Sequence, residues 1–376
     1  MNILVLSAYD ADSHQRWHQG LVQHLPFDFN VHTLPARFFS WRIRGNPLTW
    51  ALGHKAELTA KPWHLIIATS MVDLATLKGL MPELAAVPTL VYFHENQFVY
   101  PTTAHSHQSI EPQMVTLYSA LAAKHVVFNS HFNKTTFLQG VADLLKKLPD
   151  QVPNGIVELL NTKSSVIPVP LEAVYFELAA QRKNEDQPFT IVWNHRWEYD
   201  KGPELLLAII QHLQKTAPNL KMRWHIVGQQ FRSVPTAFAE IKKQLIAQDW
   251  LGQWGYLSRA DYQQVLQQSD VVLSTALHDF QGLAVMEAAA AGCIPLLPKR
   301  VAYPDFFADD YLYDVAGNVA ADVAENVPQQ ANNACQKIQQ LIKSNNRPPA
   351  PNMQQYGWPQ LQQDYQNLIQ TLALPV

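Results

Sequence analysis

The chain alternates between short, mostly apolar runs and longer stretches in which apolar residues recur every three or four positions. Ile3 to Ser7, Leu65 to Thr69, Thr89 to Phe93, Val126 to Ser130 and Ser165 to Val169 are runs of the first kind and predict buried strands. Ser13 to Leu25, Ile110 to Lys124 and His131 to Lys147 are of the second kind and predict helices. A strand covered on both faces has no polar side, so apolar runs interleaved with amphipathic helices imply a parallel sheet between helical layers. The polar stretch Gln181 to Pro188 breaks the rhythm and reads as a linker. The alternation then restarts. Thr190 to Trp193, Arg223 to Val227, Asp270 to Thr275 and Ile294 to Leu297 are strand-like, and Pro203 to Lys215, Val234 to Gln248, Ala260 to Gln268 and Leu283 to Ala291 are helical. The Asn- and Gln-rich segment from Gln329 to Asn346 reads as solvated helix or loop, Pro348 to Pro351 as a loop, and Trp358 to Leu372 as a terminal helix.

The expected architecture is therefore α/β, with two Rossmann-like, doubly wound domains facing a central cleft. Residues 1–180 form the first and 188–350 the second, and residues 351–376 form a helix that packs back on the first. A length of 376 residues with 47% hydrophobic content supports two buried cores. Charged residues make up only 16% and the net charge is −3, which excludes a strong global attraction to nucleic acid and leaves room only for a local patch. Cys293 and Cys335, the only cysteines, make no disulfide framework, and a reducing cytoplasm is expected. No secretory leader is expected, and no run of about 18 apolar residues exists to span a membrane.

In doubly wound sheets, ligands bind beyond the carboxyl ends of the strands. After the run Asp270 to Thr275 comes HDFQGLAVMEAAAAGCIP, in which Asp279 and Glu287 are separated by seven residues and Gly282 opens an Ala-rich helix. A helix N-terminus offers unpaired N–H groups and a positive dipole end to an anion. One acid ahead of it and one two turns inside suit a sugar nucleotide, with phosphates on the amides and polyols on the acids. After Thr190 to Trp193 comes NHRWEYDKGPE, where Pro203 and Glu204 mark a helix start. Arg196 and Lys201 flank that turn as a bidentate fork and a point charge for one diphosphate.

After Thr89 to Phe93 comes His94-Glu95-Asn96-Gln97, a polar cluster in which His94 can meet a hydroxyl. At the end of the first run, Asp12 or Ser13 is expected to cap the next helix, rather than Asp10 and Asp12 holding a metal. The histidines show no zinc-type spacing with cysteine. Trp254 to Leu257 reads either as a buried edge strand or as backbone against a nucleotide base, and Ser258 as a helix cap. The segment LPARFFSWRIRGNP interleaves Arg37, Arg42 and Arg44 with three aromatics. Such a mixture suits single-stranded nucleic acid. Its alternative is a loop that packs the rings into the core and leaves the arginines in water, and the negative net charge favours that alternative.

These motifs resemble one family. The acid-x7-acid pair Asp279 and Glu287, with Arg196 and Lys201, is similar to the pattern of the retaining GT-B enzymes of glycosyltransferase family 4. The segments LPARFFSWRIRGNPL, VYFHENQFVYP, HVVFNSHFNKTTFL, NHRWEYDKGPE and HDFQGLAVMEA resemble, within it, the tRNA-queuosine α-mannosyltransferases, over Ile3 to about Tyr313. The resemblance implies mannose transfer from GDP-mannose to a queuosine hydroxyl in a tRNA anticodon, with retained anomeric configuration and no metal or other cofactor. It implies that Arg196 and Lys201 bind the diphosphate, that Glu287 binds the ribose, that Asp279 lies near the sugar, and that Gly282 and Leu283 lend backbone N–H groups. His94 would sit at the reacting centre. Ser13, His14 and Tyr256 join the expected donor site, and Arg37, Arg42, Arg44, Glu95 and Asn96 the expected acceptor and RNA side. The family usually has Gly-Gly where this chain has Ala11-Asp12, and Glu where it has Asp279.

No motif supplies a carboxylate nucleophile beneath the anomeric carbon, so front-face attack is expected, with Arg196 and Lys201 stabilising the leaving diphosphate. Three rivals stand beside this reading. They are a family 4 transferase with another soluble or lipid-linked acceptor, a catalytically idle RNA-binding GT-B protein, and a sugar-nucleotide epimerase. No basic amphipathic helix of the membrane-acting kind is evident.

Overall fold

A computed structural model describes residues 1–99, 109–179, 188–231, 233–315, 326–344 and 347–373. The chain divides into two compact units, Met1–Pro170 with Trp358–Val376, and Leu171–Gly357. The first contains the strands β1 (Asn2–Asp10), β2 (Asp28–Pro35), β3 (Leu65–Thr69), β4 (Thr89–Phe93), β5 (His125–Phe128) and β6 (Ser164–Val166), ordered β2-β1-β3-β4-β5-β6. The second contains β7 (Phe189–Trp193), β8 (Met222–Val227), β9 (Leu251–Gly255), β10 (Val271–Leu273), β11 (Ile294–Pro298) and β12 (Leu312–Tyr313), ordered β12-β11-β10-β7-β8-β9. Every pairing in both sheets is parallel. Strand order reverses direction between β1 and β3 in one sheet and between β7 and β10 in the other, and those switch points are where a doubly wound sheet opens a crevice at its strand ends.

All five residues of each of β3, β4, β7 and β11 are buried, in keeping with their mostly apolar sequences. The strand Asp28–Pro35 is a finding beyond the sequence pattern, because it is an edge strand whose polar residues, Asp28, Asn30, His32 and Thr33, give no apolar run. The stretch Leu251–Gly255 resolves as an edge strand too. The Gln-rich region is not simply solvated. It forms a helix, Val327–Lys343, that buries Ala331, Ala334, Cys335 and Ile338 in one core with Leu206, Ile209, Ile210 and Leu213 of the helix Pro203–Thr216. Each leucine and isoleucine among them contributes about 1.5–3 kcal/mol on burial.

The first unit ends at Pro170, ten residues short of the expected boundary, because the helix Ala173–Ala179 packs on the helices Arg259–Gln268 and Leu283–Ala290 of the second. Residues 181–187 of the expected linker lie outside the described residues. The terminal helix Trp358–Ala373 belongs to the first unit, where the Tyr365 hydroxyl donates to Pro168 O at 3.0 Å and accepts from Trp17 Nε1 at 3.2 Å. Trp358 lies so close to Gly20 that any Cβ there would come within 2.2 Å of its ring.

Candidate active site

The strand ends of the second unit build one polar cluster. After β7 the chain turns through Asn194 to Lys201, and Gly202, at φ 64°, starts the helix Pro203–Thr216. A Cβ on Gly202 would meet Thr275 O at 2.2 Å, so glycine is required both by conformation and by space. The two loops are laced together. Thr275 Oγ1 donates to Lys201 O at 2.7 Å and accepts from Trp193 Nε1 at 2.9 Å. The N–H groups of Leu277 and His278 donate to Asp200 O at 2.8 and 3.1 Å. Beneath the second loop, buried Arg300 donates through Nε to Ala276 O at 2.9 Å.

Lys201 is buried at the centre. Its ammonium donates to His278 O at 2.8 Å and lies 3.1 Å from Asp200 and 3.6 Å from Asp279. Burial disfavours the ammonium, but the carboxylates of Asp279 and Asp200 outweigh that cost and raise the Lys201 pKa above its ordinary value. Burial acts on Asp279 in the opposite direction and is likewise outweighed. Lys201, the two neighbouring histidines and the Gly282 N–H hold its carboxyl below the ordinary range. Asp279 Oδ1 accepts from the Gly282 N–H at 2.9 Å, just ahead of the helix Leu283–Ala290. Arg196 is 47% exposed and lies 3.0 Å from Glu198, near enough to Lys201 for its charge to oppose that of the ammonium. Glu287 is buried in the helix and accepts from the Tyr262 hydroxyl at 3.4 Å; Asn194 donates to that hydroxyl at 2.9 Å and to Ala284 O at 2.7 Å.

A chain of hydroxyls closes the back of the site. His195 Nε2 lies 2.9 Å from Ser274 Oγ, Ser274 Oγ 2.7 Å from the Tyr303 hydroxyl, and the Tyr303 hydroxyl donates to Asp279 Oδ2 at 3.4 Å. Burial first, and then the Lys201 charge, push both His195 and His278 down to about 4, so both imidazoles are neutral at pH 7. The structure thus brings Arg196, Lys201, Asp279, Gly282, Leu283 and Glu287 to the switch point between β7 and β10. Asp200, Asn194, Tyr262, Ser274 and Tyr303 complete it and carried no role in the sequence reading. Asn194 directly follows a strand and was accessible to that reasoning, whereas Tyr303 arrives from a later loop with no local signal. Tyr256 follows edge strand β9 and is 73% exposed.

In the first unit, His94 follows β4 and is buried. Its ring stacks on His14 at 4.1 Å and meets the edge of Trp17 at 4.9 Å, while its Nε2 has no hydrogen-bond partner within the protein. Burial, with the nearby His14 and His18, holds the His94 pKa well below the imidazole value. Glu95 joins the loops: Ser70 Oγ donates to its Oε1 at 3.1 Å, and His14 Nε2 lies 3.1 Å from its Oε2. Asn96 is a correction. Its amide is wholly buried and donates to Asn133 O, Asn133 Oδ1 and Thr136 Oγ1, which leaves no donor for an acceptor substrate. The helix cap is another: the helix Asp12–His24 has Ala11 at its cap position with no side-chain cap bond, and Asp10 instead lies 3.2 Å from His18. Ser13 is partly exposed in the first turn. Ser258 does cap its helix, accepting from the Asp261 N–H. Tyr100 and Pro101, the end of the VYFHENQFVYP motif, lie outside the described residues.

The Arg-rich segment reverses the expected orientation. Phe38, Phe39 and Trp41 face solvent, and Arg42 is buried on the inner face of the helix Phe39–Gly53 with Ile43, Asn46 and Trp50. Arg42 is therefore not a surface cation. Arg44 is half-exposed and pairs with Asp73, and it also reaches Thr76 at 3.1 Å and Glu111 at 3.3 Å. Arg37 is exposed above the Phe38 ring.

Among the described residues, no group of three or more His, Cys, Asp or Glu side chains is placed to hold a metal ion, and no helix is long and apolar enough to cross a membrane. The family model for the tRNA-queuosine alpha-mannosyltransferase N-terminal region matches residues 2–171, and that for glycosyl transferases group 1 matches residues 176–356. A Drosophila melanogaster tRNA-queuosine alpha-mannosyltransferase is 33% identical over 328 residues, covering 84% of each chain. The chain belongs to the tRNA-queuosine α-mannosyltransferase family. Members of this family are glycosyltransferases, and the protein is accordingly an enzyme of that class. Its fold is GT-B. An UDP-forming α,α-trehalose-phosphate synthase from Burkholderia xenovorans superposes with a TM-score of 0.66 at 12% identity, covering 100% of this chain and 99% of that one. The Anabaena protein HepE in complex with UDP gives 0.60 at 14% identity, covering 99% and 100%. At such identities these likenesses speak for the fold alone.

Proposed function

We propose that the protein transfers mannose from GDP-mannose to a queuosine hydroxyl of tRNA in the cytoplasm, with retention and without a metal ion. The observation that carries this reading is the buried Lys201 ammonium, set beside Arg196 at the strand ends of β7 and β10 and next to the first turn of the helix Leu283–Ala290. A fixed lysine, an arginine fork and the N–H groups of a helix's first turn are components that can hold a diphosphate, and they can take up the charge that develops as it leaves. Glu287, buried within the same helix, supplies an acceptor for ribose hydroxyls, and Asp279 one for the sugar. With His195 and His278 neutral, the site's positive charge comes from Lys201 and Arg196.

In front-face transfer the acceptor oxygen bonds to the anomeric carbon as the carbon–oxygen bond to the diphosphate breaks on that same side, and the departing phosphate oxygen takes the hydroxyl proton. His94, kept neutral by burial, serves as a hydrogen-bonding group to a hydroxyl rather than as a proton donor. The name of the Drosophila relative supports the tRNA acceptor and mannose as the transferred sugar.

The test is incubation with labelled GDP-mannose and queuosine-containing tRNA, with queuosine-free tRNA and an EDTA-treated reaction as controls. Label is expected only in the queuosine tRNA, in the α configuration, and undiminished by EDTA. Label in both tRNAs or in neither would refute the acceptor, and loss with EDTA the metal independence.

A further inference from the structure

We infer that Phe38 and Trp41 form a stacking platform for unpaired RNA bases, with the Arg37 guanidinium beside them as a phosphate contact. The inference rests on the tRNA-acceptor reading and names where that acceptor is held. Phe38 is 70% exposed and Trp41 54% exposed, so two large rings three positions apart stand side by side in solvent. Both are held out rather than left loose. Phe38 has φ 55° and ψ 56°, a left-handed conformation uncommon for an aromatic residue, at the position that caps the helix Phe39–Gly53. Arg37 sits over its ring at 5.7 Å to the centroid. The Trp41 ring lies along the helix against Gly45, whose missing side chain leaves it room: a Cβ there would come within 2.5 Å of the ring. Phe39 is anchored edge-on to Tyr9 at 6.1 Å.

Planar rings presented with a guanidinium beside them match unpaired bases joined by phosphates. Stacking gives affinity without reading sequence, and the cation meets the backbone. The first turn of the helix contains no acidic side chain to oppose a phosphate. The net charge of −3 confines RNA binding to such a local patch, in agreement with its small size.

Binding of the full-length protein to an RNA stem-loop with an anticodon-type loop, and to a fully paired duplex of equal length, tests this. Phe38→Ala and Trp41→Ala are each expected to weaken stem-loop binding roughly ten-fold, with little effect on the duplex and little change in salt slope. Arg37→Ala is expected to weaken both RNAs and to reduce the salt slope by about one. Gly45→Ala, which favours the helix but displaces the Trp41 ring, is expected to reproduce the Trp41→Ala loss without lowering Tm, while Trp41→Phe restores part of the affinity. Equal losses on stem-loop and duplex, or none in the ring variants, would overturn the platform. So would co-sedimentation of the wild type with anionic vesicles that the ring variants abolish. If the wild type mannosylates tRNA yet the ring variants bind the stem-loop unchanged, the platform alone is wrong. If the wild type neither binds nor modifies RNA, the acceptor reading falls with it.

Discussion

The Lys201 ammonium donates to the carbonyl oxygen of His278 at 2.8 Å, so one cation ties the loop after β7 to the loop after β10. The same ammonium lies within 3.6 Å of Asp279, whose other oxygen accepts from the N–H that precedes the helix Leu283–Ala290. The group proposed to meet the diphosphate is thus also the group that fixes the walls of its site.

Replacing Lys201 by Met should therefore act twice. It leaves Asp200 and Asp279 without their buried counter-charge, a loss of about 3–5 kcal/mol, and Tm should fall by roughly 10 °C. Turnover should fall by more than a hundred-fold, the scale of losing one preorganised charge contact. A thermal melt that matches the wild type would show that Lys201 is not the cation holding these loops.

Arg196→Ala separates chemistry from folding. The side chain is about half exposed and its partner Glu198 is close to the surface, so stability should change by no more than about 0.5 kcal/mol. Transition-state stabilisation should fall by about 2–4 kcal/mol. Steady-state kinetics should show this as a lower kcat. A raised acceptor KM with kcat intact would exclude a role for Arg196 at the leaving group.

Gly202→Ala places a Cβ 2.2 Å from Thr275 O in a residue at φ 64°. The left-handed conformation alone costs about 1–2 kcal/mol for a non-glycine residue, and the backbone contact adds to it. Tm and activity are expected to decline together, because both loops of the site move. Full activity in this variant would mean that the turn has room the structure does not show.

Stability should fall as the solution is acidified from neutrality. His195 and His278 have folded pKa values of about 4, below the ordinary 6.5, so the unfolded chain binds their protons more readily. Their contribution is complete above pH 6.5 and is lost progressively as pH drops to about 4. The lowered Asp279 carboxyl adds a loss of the same sign at still lower pH. His278→Gln should flatten the Tm profile between pH 6.5 and 4 relative to wild type. An identical slope would show that His278 does not stay neutral in the folded protein.

Much of this was legible along the chain because it is local. β3, β4 and β7 are mostly apolar runs, Pro203 marks its helix start, and Arg196, Lys201, Asp279 and Glu287 stand beyond strands or within the following helix. The edge strand Asp28–Pro35 escaped because an edge strand need not be apolar, and the buried face of Val327–Lys343 was hidden among glutamines.

The amino-acid sequence by itself determined the tandem α/β plan, the family and the charged residues of the proposed donor site, since burial pattern, turn chemistry and motif spacing are properties of neighbouring residues. Only the tertiary structure decided that Asn96 is consumed by Asn133 and Thr136, that Asp200 and Tyr303 complete the Lys201–Asp279 pair, and that in the segment from Arg37 to Arg44 the rings face water while Arg42 turns inward. Each of those outcomes depends on partners distant in the chain or on which face of a helix finds a core, and no local pattern of residues contains that information.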